Sequence, residues 1–185
     1  MLFAPHLDLQ APRFVSCAEI FDHHLGLDLF ADDERALQAR CHELGFASCQ
    51  DKNDAFDFLI DEVTRQYFSG DRFTVLDGYP PQQAQLARSG ATAERFEVYL
   101  GSVELANGYS ELTDAKVCEQ RLRDENARRL AVGRQALPVS KALLAAVQAG
   151  LPDCAGVSVG LDRILMCLGG KDQIADTMAF AWDRA

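Results

Sequence analysis

The chain has 185 residues and a formal net charge of −10, from 18 lysines and arginines against 28 aspartates and glutamates. Its 48% hydrophobic and 25% charged residues are ordinary for a globular domain and argue against disorder. A charge that negative repels phosphate backbones, so autonomous binding of tRNA or other nucleic acid is not expected.

Ser16-Cys17-Ala18-Glu19 is a capping box ahead of a short apolar helix ending near Gly26. Asp32 or Asp33 opens a second helix to Leu44, with Gly45 as its stop. A third is predicted from about Asn53 to Phe68, where Phe56, Ile60, Val63 and Tyr67 recur at helical spacing. Residues 1–72 thus read as a helical segment. Phe73-Thr74-Val75-Leu76 then reads as a strand, broken by Gly78-Tyr79-Pro80-Pro81. Phe96, Val98 and Leu100, then Gly101-Ser102, then Val103 and Leu105 predict a hairpin whose turn wants glycine first. Thr113-Asp114 opens a long charged helix closed by Gly133, and Ser140 opens another closed by Gly150. Gly156 to Leu161 is a small, β-branched strand running into a helix near Asp162-Arg163. The order favours an α+β fold with an antiparallel sheet.

No stretch approaches the ~20 apolar residues of a membrane span. The start, Met1 to Asp8, lacks the basic flank and apolar core of a secretory signal. The six cysteines show no C-x-x-C pair, which favours reduced, mostly buried thiols in a cytoplasmic protein over a disulfide framework.

Two segments could carry chemistry. Glu104 to Asp114 crowds acidic and amide groups into what otherwise looks like a core strand. It reads equally as an edge strand with solvated charges or as a ligand-binding strand. In Gly156-Val157-Ser158-Val159-Gly160 the glycines flanking Ser158 invite close approach to the backbone, so Ser158 and Gly160 are candidate substrate contacts. Arg163 follows, able to stack on a base or pair with phosphate, or to pair with a surface carboxylate. His23, His24, Cys41 and His42 fit no zinc spacing. The run Arg121, Arg123, Arg128, Arg129 alternates with acids and reads as a solvated helix face.

Arg95 to Tyr99 followed by Glu104 to Asp114 resembles the late catalytic region of class II lysyl-tRNA synthetases. Gly150 to Arg163 resembles their motif 3. Within that group the closer similarity is to the elongation factor P lysyltransferases. It is carried by Tyr79 to Ala87, Asn107-Gly108, Pro152-Asp153-Cys154 and the ending Ala179 to Ala185. The resemblance covers residues 73–185, the C-terminal part of such a catalytic domain. It likens residues 1–72 to the helical insertion between motifs 2 and 3.

The resemblance implies a ligase that activates lysine or β-lysine with ATP and Mg²⁺, for transfer to elongation factor P. It implies that Glu104 holds Mg²⁺ and the ATP phosphates, and that Asn107 meets the amino acid's carboxylate end. Glu111 would face its ε-ammonium, and Arg163 would clamp the adenine. Ser158 departs from the glycine of the tRNA-charging enzymes and the alanine of the elongation factor P enzymes. Motif 1 and the motif 2 arginine find no match here. This leaves two expectations: a partial or split ligase that self-associates or pairs with a missing N-terminal half, or a non-catalytic remnant serving as a binding module.

Strand parity adds one more expectation. Asn107 and Glu111 share a face, but Glu104 and Asn107 are three apart and would not. One pocket for all three requires a bulge within residues 105–109, most naturally at Ala106-Asn107-Gly108.

Overall fold

The computed structural model describes residues 8–49 and 51–182. Met1 to Leu7 of the start and the last three residues of the C-terminal motif, both read in the sequence, therefore lie outside the described residues.

Strand β1 (Arg13–Ser16) leads into α1 (Cys17–Ile20). The Ser16 hydroxyl accepts from the Glu19 N–H at 3.2 Å, and Glu19 accepts from the Ser16 N–H at 2.7 Å, so both halves of the capping box form. A π turn at Phe21–Leu25 ends at Gly26, in the left-handed region. Helices α2 (Glu34–Glu43) and α3 (Lys52–Tyr67) are capped by the Asp33 and Asp51 carboxylates. Next come β2 (Phe73–Asp77), a 3₁₀ turn at Pro81–Gln83, and the hairpin of β3 (Arg95–Leu100) and β4 (Val103–Ser110). Gly101 opens its turn at φ 58°, a backbone angle few other residues tolerate. Helices α4 (Ala115–Ala131) and α5 (Lys141–Gln148) follow, capped by Asp114 and Ser140. Strand β5 (Ala155–Val159) then passes into α6 (Leu161–Leu168).

The five strands lie in chain order in one sheet. β1 runs parallel to β2, and every other pair is antiparallel. The fold is α+β with a mixed sheet. The helical reading of residues 1–72 is corrected by β1, whose four residues are too few for alternation to declare itself in sequence.

One row of paired residues crosses the whole sheet: Val15, Leu76, Glu97, Asn107, Ser158. Its first two members belong to the hydrophobic core, where they join Phe21, Leu37, Phe56 and Leu59 from the helical layer. Each such side chain contributes roughly 1.5–3 kcal/mol when withdrawn from water. The row turns polar from β3 onward. Behind it, on the other face, a second row runs Phe14, Val75, Val98, Ala106, Val159. That row is apolar throughout, and its ends are open: Phe14 is 74% exposed and Val159 47%.

The charged face predicted for α4 needs correction at two residues. Arg121 donates to the Gln85 and Ala87 carbonyls at 2.9 and 2.6 Å and to the Ser89 hydroxyl at 2.8 Å. Arg128 meets Asp51 of the α3 cap at 3.4 Å as well as Glu125 on its own helix. These guanidiniums reach off the helix and pin it to its neighbours, which local spacing does not reveal. Arg123 pairs with Glu119 in the solvated manner expected.

Candidate active site

The polar half of the sheet face is built by β3, β4 and β5. On β3, Arg95, Glu97 and Tyr99 share the parity opposite to Phe96 and Val98. The Glu97 carboxylate is 6% exposed and has all its acceptor sites engaged. Tyr79 donates to it at 2.6 Å, Tyr99 at 2.5 Å and the Asn107 amide at 2.9 Å, and Arg95 forms a buried ion pair with it. The Arg95 guanidinium also lies 4.3 Å over the Tyr79 ring and donates to the Gln83 carbonyl. Burial, then the Glu97 charge, pushes both tyrosine hydroxyls well above their ordinary pKa, so they stay protonated donors.

Pairing shifts between Val98, which faces Ala106, and Tyr99, which faces Glu104. Leu105 is the extra residue, so the bulge falls at the first position of the range expected from parity and not at Ala106-Asn107-Gly108. It puts Glu104 beside Tyr99 and Asn107 beside Glu97, on one face, although they are three apart. Asn107 lies opposite Ser158 of β5. Its amide nitrogen serves Glu97, and its side-chain oxygen is buried without a partner. Glu111 sits just past β4, its N–H bonded to the Cys154 carbonyl at 2.9 Å. Its carboxylate lies over Gly156: a Cβ there would stand 2.5 Å from Glu111 Oε1. Gly156 pairs with Tyr109, so Glu111, Asn107 and Ser158 look out from one side of the sheet.

Gly160 follows β5, donating to the Leu105 carbonyl at 2.9 Å, and N-caps α6. The turn swings Arg163 back over β4. Its guanidinium is 2.7 Å from the Glu104 carbonyl and 3.4 Å from the Glu104 carboxylate.

A cavity of about 1100 Å³ opens beside this face, between α3, α4 and the hairpin. Glu104, Arg163, Arg95, Glu97 and Tyr99 line it, as does Asp57 of α3. Asn107, Glu111, Ser158 and Gly160 share the face but lie along the strands outside the cavity wall. The structure thus joins Glu104 with Arg163 directly, and Asn107 with Ser158 by pairing. Sequence reading missed Glu97 and Arg95, although two charges at inward parity in an apolar strand were the available signal. It also missed Asp57, which only the packing of α3 brings to the site.

Among the described residues, no group of three histidine, cysteine, aspartate or glutamate side chains could hold a metal ion. None of their helices is long and apolar enough to cross a membrane.

Residues 69–184 match the family of class II tRNA synthetases (D, K and N). The chain is 36% identical over 187 aligned residues to the elongation factor P--(R)-beta-lysine ligase of Salmonella dublin, an alignment covering 97% of the chain. The proteins of that name from Salmonella paratyphi B and Salmonella heidelberg match to the same extent. The chain belongs to the class II tRNA synthetase family. It covers 58% of the length of these relatives. The antiparallel β3–β4–β5 face and the α6 junction lie wholly within the part that matches the family.

Proposed function

We propose that the chain forms the nucleotide- and amino-acid-binding face of a ligase that activates lysine or β-lysine with ATP for transfer to elongation factor P. The observation that carries this reading is the Arg163–Glu104 contact, which puts a planar cation and a carboxylate together in the lining of one cavity. Arg163 would stack on adenine, since a guanidinium supplies both a flat face and a charge. Glu104 would meet Mg²⁺, which commonly takes one or two carboxylates and completes its shell with phosphate oxygens and water. A single carboxylate, already near a guanidinium, fits that role only together with a nucleotide. Asn107 keeps one amide hydrogen beyond its bond to Glu97, and this would reach the amino acid's carboxylate. Glu111 would take the ε-ammonium. Ser158, beside Asn107, adds a hydroxyl to the same floor.

Cytoplasmic residence and elongation factor P as partner belong to the same proposal; they rest on the relatives' name and on the thiols, all six of which are free. The second reading, a module that binds without catalysing, is favoured by the arginines. Arg95, Arg121, Arg128 and Arg163 line the cavity, and each already engages a carboxylate or a carbonyl. None is left free to clamp an α-phosphate, a contact whose loss typically costs on the order of 10²–10³ in rate.

Two assays separate the readings. ATP and (R)-β-lysine should bind the 185-residue chain, with Arg163→Ala weakening ATP alone and Glu111→Gln weakening the amino acid alone. Pyrophosphate exchange by the chain on its own should be absent. Robust exchange would show that one of the engaged arginines is released in the complex. Absence of binding by either ligand would overturn the proposal.

A further inference from the structure

Six carboxylates line the cavity: Asp57, Asp61, Glu97, Glu104, Asp124 and Glu125. Four of them have a cation at hand. Asp61 meets Arg65 at 3.0 Å, Glu97 meets Arg95, Glu104 meets Arg163 at 3.4 Å and Glu125 meets Arg128 at 3.0 Å. Asp124 of α4 accepts a 2.8 Å bond from Gln120 of the same helix. Asp57 is different. Its one hydrogen bond is a long contact of 3.3 Å from the neutral Gln83 amide. Gln83 is shared, since it also reaches Asn53 at 3.4 Å, and it is itself buried. Asp57 is solvent-exposed where it lines the cavity.

We infer that Asp57 is a binding residue for a primary alkylammonium group, the second cation-recognising carboxylate of the site, in the lining of the cavity that also holds Glu104 and Arg163. An ionised carboxylate has about four acceptor positions, and here only one is used, weakly. Glu97 cannot take this role, because its positions are filled by Tyr79, Tyr99, Arg95 and Asn107. Glu111 lies along the strands, over Gly156. A ligand with two ammonium groups would therefore have two carboxylates to meet, Asp57 inside the cavity and Glu111 outside its wall. The assignment rests on the reading of the face as a site for a lysine-like ligand, and it names the α3 residue that would help select such a ligand.

The charged and polar groups around Asp57 agree with this. Arg128 of α4 and Arg95 of β3 act on it from a distance, Asp54 opposes them from its own helix, and the Gln83 amide donates to it. Burial outweighs their sum and holds the carboxyl above the usual aspartate range. A cation arriving beside the carboxylate favours its charged form.

The test is calorimetric titration of the full chain, near neutral pH, with n-butylammonium, L-lysine, Nα-acetyl-lysine methylamide and norleucine. Wild type, Asp57→Asn and Asp61→Asn are compared. Asparagine keeps an acceptor for Gln83 and removes only the charge. n-Butylammonium should bind wild type and Asp61→Asn alike and bind Asp57→Asn about tenfold more weakly. Norleucine, which lacks the side-chain amine, should show no difference among the three. A loss shared by the acetylated lysine assigns the subsite to a lysine side chain of an acceptor protein, and a loss confined to free lysine assigns it to the amino acid. In carbon-13 NMR the Asp57 carboxyl should titrate at lower pH once n-butylammonium is bound.

Affinities for n-butylammonium within about twofold between wild type and Asp57→Asn would overturn the inference, as would the same loss in Asp61→Asn or no binding at all. If n-butylammonium binds through Asp57 and lysine does not bind, the inference stands and the lysine reading fails. If lysine binds through Glu111 and ignores Asp57, the lysine reading stands and the inference fails.

Discussion

Glu97 and Asp57 are carboxylates of one cavity with opposite fates. Glu97 is fully engaged, and its loss should be felt as stability. In Glu97→Gln the Arg95 charge stays buried without its counterion, and an amide donor faces other donors. We expect a loss of about 3 kcal/mol in denaturant unfolding. Asp57 should behave in the reverse sense. Its folded pKa is raised, so its contribution to stability is fully present below the ordinary aspartate pKa and is lost as pH rises through the raised value. Asp57→Asn should therefore stabilise the ligand-free chain near neutral pH, by at most about 0.5 kcal/mol because solvent screens so accessible a group. The gain should vanish as pH falls to the ordinary aspartate range. Thermal unfolding across that range checks the sign, and destabilisation at neutral pH would mean that Asp57 serves the fold. Gly156 is constrained by Glu111 alone. Gly156→Ala should push the Glu111 carboxylate aside and lower lysine affinity by about tenfold or more, with little change in melting temperature. Unchanged affinity would detach Glu111 from the site. Of these residues only Glu111 and Gly156 were visible in sequence. Asp57 was hidden because a helical acid looks solvated until a tertiary cavity forms beside it.

At the scale of elements, the caps and periodicities were legible because they are local. The Ser16–Glu19 box, the Asp33, Asp51, Asp114 and Ser140 caps and the Gly101 turn each need only a few neighbouring residues. Parity made the bulge in β4 legible as well, though not its position at Leu105, since the Tyr99–Glu104 pairing is set by the partner strand. β1 was illegible because four residues find their pairing only from β2. The outward reach of Arg121 and Arg128 depends on what packs beside α4. The apolar back row and the open edge at β5 have a consequence for assembly. Val157 and Val159 are 56% and 47% exposed on an edge strand, beside Leu161 and Leu165 at 69% and 52%. Unpaired strands with apolar surface associate. Light scattering of the chain should show self-association that increases with concentration. A monodisperse monomer over the whole accessible range would contradict this.

Across the whole molecule, the sheet changes character along its width. Under β1 and β2 its face is core, packed by the helical layer. Under β3, β4 and β5 the same face carries Glu97, Asn107, Ser158, Glu104 and Glu111. The central claim is that this polar half, with the β5–α6 turn, is where nucleotide and amino acid bind. The most direct test is nitrogen-15 NMR of the full chain titrated with ATP and Mg²⁺, then with (R)-β-lysine. The account predicts shifts for ATP at Glu104 and around Gly160 to Arg163, and shifts for the amino acid at Asn107, Glu111, Gly156 and Ser158. Shifts confined to the Phe14–Val159 back row, or no shifts at saturating ligand, would contradict it.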